Sequence, residues 1–346
     1  MAKLVNVLRA RAPYIVGALF VVVLCGRVSG AGRAGEAALL RLATLAPEAS
    51  SAGAIFKAFD KSIRERSGSK VQLRLYAGGV AGDERDVIRK MKIGQLEGAA
   101  LTSIGLGQIV RSVLVLQMPG LFESRDQVDK VRKELASEFQ RQFGSAGYVL
   151  LGWGDVGELR VFGKRPVASP QDYKTVRPWV WREDPISTEL MSIIGANGVA
   201  LGLPEVFAAL QTGMVDTVSA TAIAVLGFQW FRFVKYMSKS TGQPVVGATV
   251  VRKDWFDAQP PDVQKALRDV SESFSTQLLT RVRTDDERAA QALRGRGVQE
   301  FDMLAKRAEW EPVLRKLTDR MTGKLYSREL LERVYRVAHD GAALPK

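Results

Sequence analysis

Residues 67–102 read SGSKVQLRLYAGGVAGDERDVIRKMKIGQLEGAALT. Val71, Leu73 and Leu75 alternate as on a half-buried strand. Gly78 and Gly79 mark a turn, and Asp83 stands where it caps a helix. That helix carries Val87, Ile88 and Met91 and closes at Gly94. Ala99 to Thr102 is strand-like again. Upstream, Leu40 to Leu45 alternates, and Ser50 or Ser51 caps a helix whose Ile55, Phe56, Phe59 and Ile63 share one face before Gly68 ends it. Downstream, Val149 to Leu151 supplies another short apolar run. Strand and helix in alternation predict an α/β sheet with helices on its faces.

The pattern restarts at Leu159. A strand from Leu159 to Phe162 is followed by a Pro-containing loop, an extended Val176 to Val180 and a helix near Ile186 to Ile194. Pro204 to Leu210 reads as a helix ended by Gly213, with Val215 to Val218 a short strand. Val245 to Val251 is a long apolar strand. From Pro261, Val263, Leu267, Val270, Phe274 and Leu278 mark a long amphipathic helix. The predicted organisation is a first α/β lobe over 38–157 and a second over 158–243. A return strand and helix over 244–292 complete the first lobe, and a helical region fills 293–346. Two lobes joined by more than one crossing leave a hinge and a cleft, where a ligand is expected.

The hydrophobic fraction is 46% and the charged fraction 25%, values of a globular chain. Residues 1–31 have the layout of a secretory signal peptide: a basic Lys3–Arg11 flank, an apolar Tyr14–Leu24 run, then small residues. The apolar run is short of the ~20 residues that span a bilayer, so the predicted location is the periplasm. Of the net charge of +13, four belong to Lys3, Arg9, Arg11 and Arg27 in a segment without acids, which leaves +9. That remainder lies in mixed-sign stretches such as Arg283–Arg288 and predicts solvated helix faces, with no nucleic-acid partner. Cys25, the only cysteine, follows Leu24, whereas a lipid-attachment cysteine normally follows a small residue; its removal with the signal is expected. One histidine, His339, and one cysteine cannot build a His/Cys metal set. No nucleophile elbow, Walker loop or dinucleotide-binding GxGxxG motif occurs, so neither enzyme chemistry nor a cofactor is expected.

The order of motifs from Leu40 to about Asp257 resembles the DctP-like solute-binding proteins of tripartite ATP-independent periplasmic (TRAP) transporters. Residues 67–102 are similar to that family's strand, Gly-rich turn, acid-led helix and following strand entry. Pro119–Phe122, the segment Gly152–Arg160 (GWGDVGELR), Ser169–Lys174 and GANGVALGLPEVFAALQTGMVD over 195–216 follow in the family's order. The resemblance implies a Venus-flytrap receptor that closes over a small molecule and delivers it to integral-membrane permease subunits. A further periplasmic accessory protein is an additional partner left open.

The departures from the family carry the specificity reading. The family grips a carboxylate with an arginine in its K-I-R-V strand, and in the aligned segment Asp172–Val180 that position holds Trp179. The family's asparagine after the strand near Asp216 falls on Ala220. Arg160 matches the family's other pocket arginine. The candidate ligand contacts are therefore Thr102, Ser103, Trp153, Arg160, Phe162, Trp179, Trp181 and Ala220, around a mainly apolar or singly acidic ligand. Each has a second reading: Trp179 and Trp181 as lobe core, Thr102 and Ser103 as turn formers, Arg160 as an ion-paired residue. A slip of two or three residues brings Arg177 or Arg182 to the site and makes an ordinary organic-acid receptor; an exported scaffold with a vestigial cleft is a third reading.

Overall fold

The computed structural model describes residues 37–345, so the predicted signal segment and Cys25 lie outside the described residues. In chain order the strands are β1 (Ala38–Thr44), β2 (Val71–Tyr76), β3 (Gly98–Thr102), β4 (Tyr148–Glu158), β5 (Arg160–Gly163), β6 (Trp179–Trp181), β7 (Val199–Leu201), β8 (Thr217–Ala220), β9 (Tyr236–Ser238), β10 (Pro244–Arg252) and β11 (Gln299–Phe301). The first sheet has the order β2-β1-β3-β10-β4, with β1 parallel to β2 and β3, and β10 antiparallel to β3 and β4. Helices cover both faces. Leu40, Leu42, Val149 and Leu151 pack with Phe56, Phe59 and Leu267 on one side. Ala43, Leu101, Leu150 and Val250 pack with Val87, Met91, Val131 and Phe139 on the other. Burial on both faces is why β4 and β10 read as nearly continuous apolar runs.

The second sheet, β11-β9-β5-β8, is flanked by the parallel pair β6-β7, and a bridge from Pro178 to Thr217 joins the two. Sequence reading missed β7, β9 and β11, each three residues long and too short for alternation to be seen. It also placed one strand at Val215–Val218, where the ladder runs over Thr217–Ala220.

Three segments connect the lobes. Leu159 separates β4 from β5, and residues 239–243 separate β9 from β10. The two crossings touch: the Leu159 N–H donates to the Gln243 carbonyl at 3.0 Å. The third connection is the helix Pro261–Gly295, 35 residues and about 50 Å long, which packs on β4 and on the helices Ser51–Arg66 and Ala222–Gly227. The glycines of β4 allow it to lie this close. A Cβ on Gly152 would stand 1.8 Å from Ser275 Oγ. At Gly157, where φ is +122°, a Cβ would stand 2.6 Å from Asp286 Oδ1. That backbone conformation is open to glycine and strained for other residues.

Asp286 fastens this hinge. It is fully buried and accepts the backbone N–H of Glu158 at 2.9 Å and of Ile223 at 3.0 Å, tying the long helix to the end of β4 and to a second-lobe helix.

Candidate functional site

A cavity of about 650 Å³ lies between the lobes, within the range of small-molecule sites. Thr44, Leu45, Thr102, Ser103 and Ile104 line it from the first lobe. Trp179, Trp181, Ala220, Ile223, Phe228 and Trp230 line it from the second, and Leu278, Val282 and Ala289 from the long helix.

Trp179 and Trp181 face the same way because alternate residues of a strand share a face. Trp179 sits 5.7 Å from Trp181 and 5.6 Å, edge to face, from Trp230, which stacks on Phe228 at 5.5 Å. Trp179 is 7% exposed and packs in the second lobe's apolar cluster as well as lining the cavity. Pocket and core, open alternatives in the sequence, are one position here. Both indole N–H groups are already engaged. Trp179 Nε1 donates to the Leu201 carbonyl at 3.0 Å, and Trp181 Nε1 donates to Asp83 Oδ2 at 3.0 Å. The tryptophans therefore offer the cavity ring faces.

Asp83 was read as a helix cap, and one oxygen does accept the Glu84 N–H at 2.7 Å. Its other oxygen spans the cleft to Trp181 and to the Leu203 N–H, also at 3.0 Å. Gly202 makes room for this, since a Cβ there would lie 2.7 Å from the same carboxylate oxygen. An ion pair between Arg85 and Glu183 at 3.2 Å flanks the bridge.

Sequence reasoning also missed Glu84. It lines the cavity, is 2% exposed, and accepts N–H bonds from Thr102 and Gly105, each 2.6 Å, and the Thr102 hydroxyl at 2.8 Å. Burial pushes its carboxyl up to about 7 against those hydrogen bonds, which favour the ionised form. The acid-led helix start was the visible signal, but nothing local distinguishes an inward Glu84 from an outward Arg85.

Arg160, Phe162 and Trp153 are not among the described cavity-lining residues. Phe162 is fully buried in the second lobe's core. Trp153 packs edge to face on Phe139 at 5.5 Å with the Arg132 guanidinium over its ring. The Arg160 guanidinium is directed to the hinge, donating to the Ser238 carbonyl at 3.3 Å and lying 3.7 Å from Glu158 and 3.6 Å from Glu287. It is held there by buried negative charge. Burial pushes Glu158 upward, but bonds from Ser240 and the Gly242 N–H, with Arg160 and Arg125 nearby, hold it below the usual carboxylate range. Arg177 and Arg182 also lie outside the lining, pairing with Asp216 at 3.5 Å and Glu205 at 2.6 Å.

Two α/β lobes, three connections and a cleft between them are the build of a ligand-capturing receptor, and residues 42–324 match the family of bacterial extracellular solute-binding proteins, family 7, DctP. The chain belongs to that family. A solute-binding protein of Chromohalobacter salexigens is 25% identical over 166 residues, 47% of this chain and about half (49%) of that protein's length. The C4-dicarboxylate-binding periplasmic protein DctP of Rhodobacter capsulatus is 22% identical over 271 residues, 77% of this chain and 81% of that one. Among solved structures, a TRAP periplasmic solute-binding protein of Pseudomonas putida F1, with bound D-glucuronate, superposes with a TM-score of 0.77 at 22% identity, over 86% of this chain and 96% of that one. Within this family 7 solute-binding protein, Trp179, the residue that the sequence reading set at the family's arginine position, lines the cavity as part of the aromatic wall. Among the described residues, the one basic side chain lining the cleft is Arg288, 64% exposed and 3.4 Å from Asp285.

Proposed function

We propose that the chain is the periplasmic receptor of a TRAP-type uptake system for a mainly apolar, at most singly acidic small molecule. It captures this ligand between the lobes without covalent chemistry and hands it to integral-membrane permease subunits. The first lobe comprises 38–157 with the return segment 244–292, and the second comprises 158–243. Residues 1–31 direct export. The observation that carries the specificity is Trp179 lining an apolar cavity, because an indole offers a face and one donor and cannot replace an arginine fork on a carboxylate.

The names of the relatives favour a second reading, an organic-acid receptor using Arg160 with Arg177 or Arg182. It requires those guanidiniums to leave their carboxylate partners and enter the cleft. A scaffold with a vestigial cleft is disfavoured by a cavity of about 650 Å³. Native mass spectrometry of freshly purified protein tests the proposal. The expected result is a co-purified apolar molecule released on denaturation; a dicarboxylate or sugar acid in its place would establish the second reading.

A further inference from the structure

Every charged group on the cavity wall is already compensated by the protein. Asp155 is held by Arg132 and Arg283, each at 2.7 Å. Asp184 accepts the Ile186 and Ser187 N–H groups at 2.9 and 3.1 Å, and the Ser187 hydroxyl. Asp285 pairs with Arg281 at 2.9 Å and with the exposed Arg288. Glu84 is satisfied by Thr102 and Gly105. Among the described lining residues a ligand carboxylate would find no unengaged cation and would approach the Glu84 carboxyl, leaving a buried charge unpaired.

The hydrogen-bonding groups are largely engaged as well. Both indole donors and the Thr102 hydroxyl are in use. Gln117 donates to the Pro244 carbonyl and accepts the Val246 N–H. Two lining hydroxyls differ, those of Ser103 and Thr249, which no hydrogen bond among the described residues engages; Ser103, 2% exposed, is the more deeply buried of the two. It belongs to the first lobe, whereas the aromatic wall of Trp179, Phe228 and Trp230 belongs to the second.

We infer that the cleft selects an uncharged amphiphile whose single hydroxyl or carbonyl end pairs with Ser103, while its apolar body lies along the aromatic wall. This deepens, and rests on, the reading of the chain as a receptor for an apolar ligand. Long-chain alcohols are the simplest members of the class.

The test titrates the purified protein at pH 8 with 1-octanol, 1-decanol, decanoate and D-glucuronate, following tryptophan fluorescence with calorimetry as a check. Affinity for the alcohols should rise about fourfold for each added methylene. Decanoate should bind at least tenfold more weakly than decanol. Ser103→Ala should weaken both alcohols about threefold to tenfold, the worth of one hydrogen bond, and leave the methylene increment unchanged. Decanoate binding as tightly as decanol would overturn the uncharged-end inference and leave the apolar reading standing. Alcohol binding indifferent to Ser103→Ala would overturn the assigned position of that end. Failure of both ten-carbon compounds to bind, whatever D-glucuronate does, would overturn the inference and the apolar reading together.

Discussion

Asp83 Oδ2 and Trp181 Nε1 lie 3.0 Å apart and join the two lobes across the cleft. The same oxygen accepts the Leu203 N–H, so one carboxylate holds two second-lobe donors while its other oxygen caps its own helix. Opening the cleft must break both interlobe bonds and hydrate all three groups.

Asp83→Ala should therefore shift the equilibrium toward the open form by about 1–3 kcal/mol, the worth of hydrogen bonds to a charged group. Small-angle scattering should give a larger radius of gyration for the variant, and ligand affinity should fall in proportion to the lost closed population. Trp181→Phe keeps an aromatic ring, though a smaller one, and removes the donor, so the hydrogen-bond part of its effect should not add to that of Asp83→Ala. Full additivity, or unchanged scattering, would show that the bridge does not control closure.

Trp179→Arg exchanges the ring face for a planar cation. Binding of 1-decanol should weaken by at least tenfold, and measurable affinity for succinate should emerge. Calorimetry of both ligands against both proteins decides this. Tight succinate binding by the unmodified protein, insensitive to Trp179→Ala, would contradict the role given to Trp179.

The glycines of β4 should be intolerant of a methyl group for a stated reason. Gly152→Ala brings a Cβ to within 1.8 Å of Ser275 Oγ, and overpacking of this kind costs about 1–3 kcal/mol. Urea unfolding should show the loss. Ser275→Ala, combined with Gly152→Ala, should recover part of it, because the clashing oxygen is gone. Equal loss with and without Ser275 would place the strain elsewhere.

Glu84 gives stability a pH dependence of defined sign. Burial pushes its carboxyl up to about 7 from an ordinary value of 4.5, so between these values the folded chain holds a proton that the unfolded chain releases. Stability should fall as pH rises from about 4.5 to 7 and level off above, by about 3 kcal/mol in this group's contribution. Glu84→Gln cannot titrate. The difference in unfolding free energy between the two proteins should change across that window and be flat on either side of it. A constant difference throughout would mean that Glu84 is ionised in the folded protein over the whole range.

Export predicts a processed N-terminus. Protein recovered from the cell envelope should begin between about residues 31 and 38 by N-terminal sequencing. An intact Met1 in the membrane fraction would mean that the segment is retained as an anchor.

Local chemistry in the sequence determined the elements. Period-two alternation at Val71–Leu75, the cap at Asp83 and the apolar face through Val263, Leu267 and Val270 depend on residues within one or two turns of each other. They were therefore legible, and they suffice for the α/β alternation. The family resemblance added the exchange of arginine for Trp179. Placement of the polar groups was decided by partners far along the chain. Asp83 meets Trp181 across 98 residues, Arg160 meets Ser238 across 78, and Asp286 meets Glu158 across 128. A guanidinium goes where buried negative charge compensates its desolvation, and for Arg160 that is the hinge. Nothing within a few positions of Arg160 reveals the location of Ser238 or Glu287, and nothing near Gly152 reveals the helix that requires it to be glycine. Only the assembled lobes bring these groups together, and with them the cavity that Trp179 and Ser103 share.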